Sequence, residues 1–226
     1  MATSSEISWP PPLTQTLCLR MNPNNHYIAG RNTPNDWSKF KSNLVVGGSE
    51  KEWGDAFIEY YMPRLDLRYL HPIKVLQENG TFQGEGFSIM AILCTLIEFL
   101  ESTCQGKIYK YYPRGQQPGP NEYSSSKDMF VSFLINRNPF KNIFSEQLAK
   151  EFYSSIRCGL LHEASTKNGW RIWAESANGL IIDATQKIVY RNNFEESIRQ
   201  FIDSFGEDLK SNQAFQEAFI IKFNSL

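Results

Sequence analysis

Three histidines, His26, His71 and His162, are all that 226 residues offer for imidazole chemistry. His26 lies in an irregular stretch and His71 precedes Pro72, and neither has a partner at metal-ligand or triad spacing. His162 is different. It ends an amphipathic helical segment with Arg157 five residues before it, Cys158 directly after that arginine, and Glu163 directly after the histidine. Five helical residues turn through roughly 500° and rise about 7.5 Å, so the two side chains stand about 140° apart and flank one edge. Such a pair can hold a phosphodiester, the guanidinium bidentate on phosphate oxygens and the imidazole handling a proton. A structural reading stands beside it: a histidine in a last turn suits the helix dipole, and the arginine can cap carbonyls or pair with Glu163.

Little else in the chain suggests covalent or metal chemistry. No H-E-x-x-H, P-loop, G-x-G-x-x-G or G-x-S-x-G motif occurs. Four cysteines, at 18, 94, 104 and 158, contain no C-x-x-C and do not form a secreted disulfide framework, so a reducing, cytoplasmic setting without metal or cofactor is expected. Cys94 and Cys104 read as core or helix-end residues. The N-terminus has neither the basic region nor the apolar run of a signal peptide, and the stretch from Phe87 to Leu100 carries Glu98, so no membrane association is expected.

Lys and Arg total 23 against 24 Asp and Glu, a formal net charge of -1, so any nucleic-acid contact must be local. In the run from Lys107 through Lys110 to Arg114, basic residues alternate with aromatics. That pattern suits stacking on single-stranded bases and equally a solvated strand edge. Trp170 and Trp173 read as packing residues, and the acidic stretch from Phe194 onward as a packing or partner helix.

Apolar content of 41% supports a real core, and its periodicity is mostly helical. Residues 1–50, rich in Pro, Asn and Gly, read as an irregular arm with one short strand from Leu44 to Val46. Two helical segments joined at Pro63 follow. The strongest helix is Glu85 to Cys104, with Gly106 just past its end. A Pro- and Tyr-rich loop leads to a short helix, Lys127 to Ile135. Ser145 then caps a helix running to His162. Residues 166–226 read as a small antiparallel β-meander, with a hairpin at Asn178-Gly179, followed by two helices. The fold is therefore expected to be mainly α.

An arginine, four residues and a histidine at the end of a core helix in a mainly helical chain resemble the signature of the HEPN superfamily. The resemblance covers residues 51–165, and its specific part is the segment from Ile156 to Glu163. It implies a helical bundle that dimerises so that two Arg/His edges share one cleft, acting as a metal-independent RNA endonuclease in stress response or defence. Arg157 would clamp the phosphate and His162 would be the general acid/base. Glu98 or Glu101, from the upstream helix, would face the motif, with Cys158 and Glu163 in support. Lys107, Lys110, Arg114, Lys167 and Arg171 would supply local charge for RNA. The resemblance also admits a non-catalytic module that binds RNA or a protein partner. Cys158 departs from the polar residue that active members often carry there, and no tyrosine follows His162 as in members regulated by a nucleotidyltransferase partner.

Overall fold

The computed structural model describes residues 26–81 and 83–226, and the chain is mainly α as expected. Among the described residues seven helices surround one core: α1 (Pro34–Lys41), α2 (50–79), α3 (Glu85–Cys104), α4 (Ser126–Asn136), α5 (146–163), α6 (Arg191–Ser211) and α7 (Gln213–Phe223). Five short strands accompany them: β1 (Ile108–Tyr109), β2 (Glu122–Tyr123), β3 (Arg171–Trp173), β4 (Ile182–Asp183) and β5 (Ile188–Tyr190).

The described part of the expected arm is more regular than its composition suggests. Thr33 and Asp36 form a reciprocal capping box, Pro34 takes the first helical turn and Trp37 buries into the core, so α1 forms where an irregular chain was expected. Leu44 to Val46 forms no strand; Val45 is exposed, and its carbonyl instead accepts from the Trp53 indole at 3.1 Å. The remainder of that arm, with His26 at its border, lies outside the described residues up to position 25.

Pro63 was expected to separate two helices, yet α2 continues through it. Proline removes the N–H that would bond the Glu59 carbonyl, and Asn32 Nδ2 takes that carbonyl instead at 2.9 Å. Two π-helical turns, Phe57–Tyr61 and Asp66–Leu70, each precede or follow the proline and reset which residues face inward. Arg64 and Arg68 then reach back from α2 to the carbonyls of Ile28 and Tyr27, at 2.6 and 2.8 Å.

The 20-residue helix α3 runs through the middle of the bundle. It is long and apolar enough to cross a membrane by length and composition, and most of it is buried among the other elements. At its end Gly106 adopts φ +61, and a Cβ there would lie 2.8 Å from the Ala218 Cα, so the position needs glycine for both conformation and space. Aromatics fill the core, including Trp37, Tyr61, Phe219 and Phe223 at one end and Phe133, Phe140, Phe152 and Phe194 at the other.

The small sheet is mixed, not an antiparallel meander. Its order is β3-β5-β4, with β3 parallel and β4 antiparallel to β5. All three β5 side chains are buried, whereas Arg171 and Trp173 of β3 are exposed, so the most apolar strand takes the centre. The Asn178-Gly179 turn forms, with Gly179 at φ +70, but it links strands on opposite sides of β5 and makes no hairpin. Trp170 packs edge-on against Phe152, as expected, while Trp173 stays half exposed.

Lys222 of α7 is 6% exposed; its amine donates to the Lys107 carbonyl at 3.0 Å and lies over the Phe99 ring. Burial, with Arg64 adding repulsion and Glu98 opposing, lowers its pKa from the ordinary 10.5 to about 8. Between those values the unfolded chain holds a proton that the folded chain has lost, so this group makes stability rise with pH across that window. The total is about 3 kcal/mol. Urea melts of wild type and Lys222→Met at pH 7 and pH 10 are expected to show wild type gaining relative to the variant. A pH-independent difference would contradict the assignment.

Candidate functional site

The site is built where α5 crosses α3. Ser145 caps α5 by accepting from the Leu148 N–H at 3.2 Å, matching the sequence expectation. The helix then departs from regular α geometry in one π-helical turn, Tyr153–Arg157, immediately before the motif. One extra residue in a turn rotates everything after it by about 100° relative to an unbroken helix. The 3.6-residue periodicity of the sequence carries no sign of it.

Two consequences follow. A loop folds back on the altered turn: the Lys167 N–H donates to the Ser155 carbonyl at 2.9 Å, and Asn168 Nδ2 donates to Ser155 Oγ at 2.9 Å. Ala164, at φ +50, closes the helix and starts that return. The return passes so close to Gly159 that a Cβ there would stand 2.5 Å from the Ser165 carbonyl oxygen. Gly159→Ala would gain about 1 kcal/mol in helix propensity but force backbone apart at a cost of about 1–3 kcal/mol. A net loss of stability is therefore expected in a thermal melt, and an unchanged or raised Tm would show that the return loop gives way freely.

The second consequence is the placement of Arg157. Its Nη2 lies 4.0 Å from Glu98 Oε2, and its guanidinium carbon lies 5.4 Å from the centre of the Tyr153 ring. Neither contact is a hydrogen bond, and Arg157 makes none among the described residues, so its N–H fork remains unspent. Glu98 is itself fixed: its Oε1 accepts from Tyr123 Oη at 3.0 Å and Ser126 Oγ at 2.9 Å. Burial raises the Tyr153 phenol above its ordinary pKa, with Arg157 pulling the other way, so the ring stays a neutral platform for the cation. Tyr153, Tyr123 and Ser126 are members of this site that sequence reasoning missed. Tyr153 sits four residues before Arg157, a spacing that could have found it. The other two come from distant elements and left no local signal.

His162 is exposed at the end of α5 and makes no hydrogen bond or ion pair among the described residues. It does lie in the last turn, where the helix dipole suits it, while Arg157 caps no carbonyl among the described residues. Cys158 is half-buried beside Arg157, and Glu163 pairs with Lys167 at 3.2 Å and leaves the arginine alone. The Cys94 thiol beneath is fully enclosed, and desolvation pushes it up to about 12, which makes it inert.

Other expected members belong elsewhere. Glu101, one turn past Glu98, engages α4 and not Arg157. Arg137 Nε binds it at 2.7 Å, Ser132 Oγ at 2.6 Å and Gln105 Nε2 at 2.5 Å, so it is a fully engaged core ion pair. Arg171 bonds the Gln186 carbonyl and covers Trp173 on β3, with no contact to Arg157. Lys110 is engaged by Glu122 at 3.0 Å, and Lys107 contributes its carbonyl to Lys222. Arg114 is exposed in the loop between β1 and β2 and has no partner among the described residues. Of the five basic residues expected to contact RNA, Lys167 lies against the motif helix, where Lys187 also pairs with Glu151 at 3.2 Å. Among the described residues no three His, Cys, Asp or Glu side chains gather as a metal-binding group.

The assembled edge thus offers an oriented, unspent guanidinium, a carboxylate that holds it without quenching it, and a solvent-facing imidazole one turn on. Comparison with known proteins finds no family model, no curated protein and no solved structure that matches this chain.

Proposed function

We propose that this edge is a metal-independent RNA-cleaving site of HEPN type, completed when a second copy of the chain brings its own Arg157 and His162 into the same cleft. The observation that carries the reading is a half-buried Arg157 whose N–H fork makes no hydrogen bond among the described residues, on the same helix end as an exposed His162. In the reaction a 2′-hydroxyl oxygen attacks the adjacent phosphorus while one imidazole takes its proton. The P–O5′ bond breaks, and a protonated imidazole supplies a proton to the departing 5′-oxygen. Arg157 donates to the non-bridging oxygens as charge gathers on them. One chain has a single suitable histidine, so a homodimer supplies the second. A neutral chain then needs only two copies of a short basic edge to hold its substrate.

The test is incubation of the purified protein with mixed single-stranded RNA in EDTA, with the molecular mass measured in solution. Cutting to 2′,3′-cyclic phosphate and 5′-hydroxyl ends by a dimer is the expected result. Retarded but intact RNA would make the edge a binding module instead, and an inert monomer would remove both readings.

A further inference from the structure

The loop between β1 and β2 is not used by the chemistry above, yet it is built as a rigid frame. β1 and β2 pair in parallel, Ile108 with Glu122 and Tyr109 with Tyr123, and close the loop at its base. Glu122 ties the interior together: its carboxylate accepts from Tyr112 Oη, from Lys110 Nζ at 3.0 Å and from the Gly119 N–H at 3.0 Å. Those bonds, led by the Tyr112 phenol, hold the Glu122 carboxyl down at about 2. Tyr123 is committed to Glu98, and Tyr112 to Glu122.

Two further tyrosine hydroxyls make no hydrogen bond among the described residues. Tyr111 is 77% exposed and Tyr109 54% exposed, the latter meeting Tyr123 edge-on with its centroid 5.5 Å away. Arg114 is exposed on the same loop and has no acidic partner among the described residues. Large aromatic faces turned to water on a braced loop that also carries an exposed cation suit stacking of unpaired bases, with the guanidinium available to the backbone phosphate. The frame also joins the cleaving edge directly, because Glu98 receives Tyr123 on one oxygen and faces Arg157 with the other.

Resting on the RNA-cleaving reading, we propose that the loop from residue 108 to 123 is the substrate platform of that site. It seats single-stranded RNA by stacking bases next to the scissile phosphate on Tyr111 and Tyr109. Duplex RNA, whose bases are stacked on each other, does not use it.

The experiment is fluorescence anisotropy with a labelled single-stranded 2′-O-methyl RNA of mixed sequence, which lacks the attacking hydroxyl and stays intact on wild-type protein. Tyr111→Ala is expected to raise Kd about tenfold and the Tyr109→Ala/Tyr111→Ala pair more, as stacking losses of this kind do. Tyr111→Phe should stay within twofold of wild type, since the ring and not the hydroxyl is used. A probe of equal length with abasic positions should lose most of its affinity and be insensitive to Tyr111→Ala. Wild-type-like binding by the double variant, or no binding of the probe by wild type, overturns the platform. Cutting of unmodified RNA is scored separately. A double variant that cuts and binds as wild type does removes the platform alone. Tyrosine-dependent binding without any cutting keeps the platform and removes the ribonuclease chemistry.

Discussion

His162→Ala is expected to lower RNA cutting by about 10²–10⁴-fold, the usual contribution of a positioned general acid/base. The side chain is exposed and makes no bond among the described residues, so its removal should leave the fold intact and the loss should fall on turnover. Arg157→Ala should cost at least as much, because it removes charge stabilisation in the transition state and weakens ground-state binding together. Arg157→Lys separates those effects. A lysine keeps the charge but not the planar fork, so RNA affinity should largely survive while cutting stays low. Glu98→Gln is a milder case: the amide retains an acceptor for Tyr123 and Ser126 but no longer holds the guanidinium electrostatically. These four variants, compared at matched folded concentration for cutting and for RNA affinity, form one measurement. Full activity in His162→Ala would sink the proposed chemistry, whatever the others do.

The helices were largely legible because their signals are local. Ser145 as a cap, the apolar stripe of α3 and Gly106 beyond its end depend on residues close in sequence, and each appears where the pattern puts it. The misread features depend on partners far along the chain. Pro63 reads as a break until Asn32 is found satisfying the carbonyl it abandons. The Asn178-Gly179 turn reads as a hairpin until β5, the more buried strand, is found between the strands it connects. Glu98 and Glu101 are indistinguishable in sequence, both acidic and both near the end of one helix. Only the neighbours, Tyr123 and Ser126 for one and Arg137 and Ser132 for the other, assign the first to the site and the second to the core.

That second assignment makes the largest stability prediction. The Glu101 side chain is 1% exposed and the Arg137 side chain 21%, so the pair is unequally dehydrated. Burial is the largest single influence and works against the Arg137 charge, but the Glu101 hydrogen bonds, Cys104 and the Glu101 charge together outweigh it and hold the guanidinium above its ordinary pKa. Removing either partner leaves a charge without its counterpart, which in buried pairs costs about 3–5 kcal/mol. The inequality decides which removal is worse. Without Glu101, Arg137 still reaches water along its exposed fifth. Without Arg137, the Glu101 carboxylate is sealed in the bundle with Ser132 and Gln105 as its remaining donors among the described residues. Arg137→Met should therefore lower Tm by about 10 °C or more, and Glu101→Gln by less, given roughly 2–4 °C per kcal/mol for a chain of this size. The double variant Glu101→Gln/Arg137→Met should recover much of the loss, because no unpaired charge remains. Equal losses from the two single variants that simply add in the double one would show that the pair contributes only as packing.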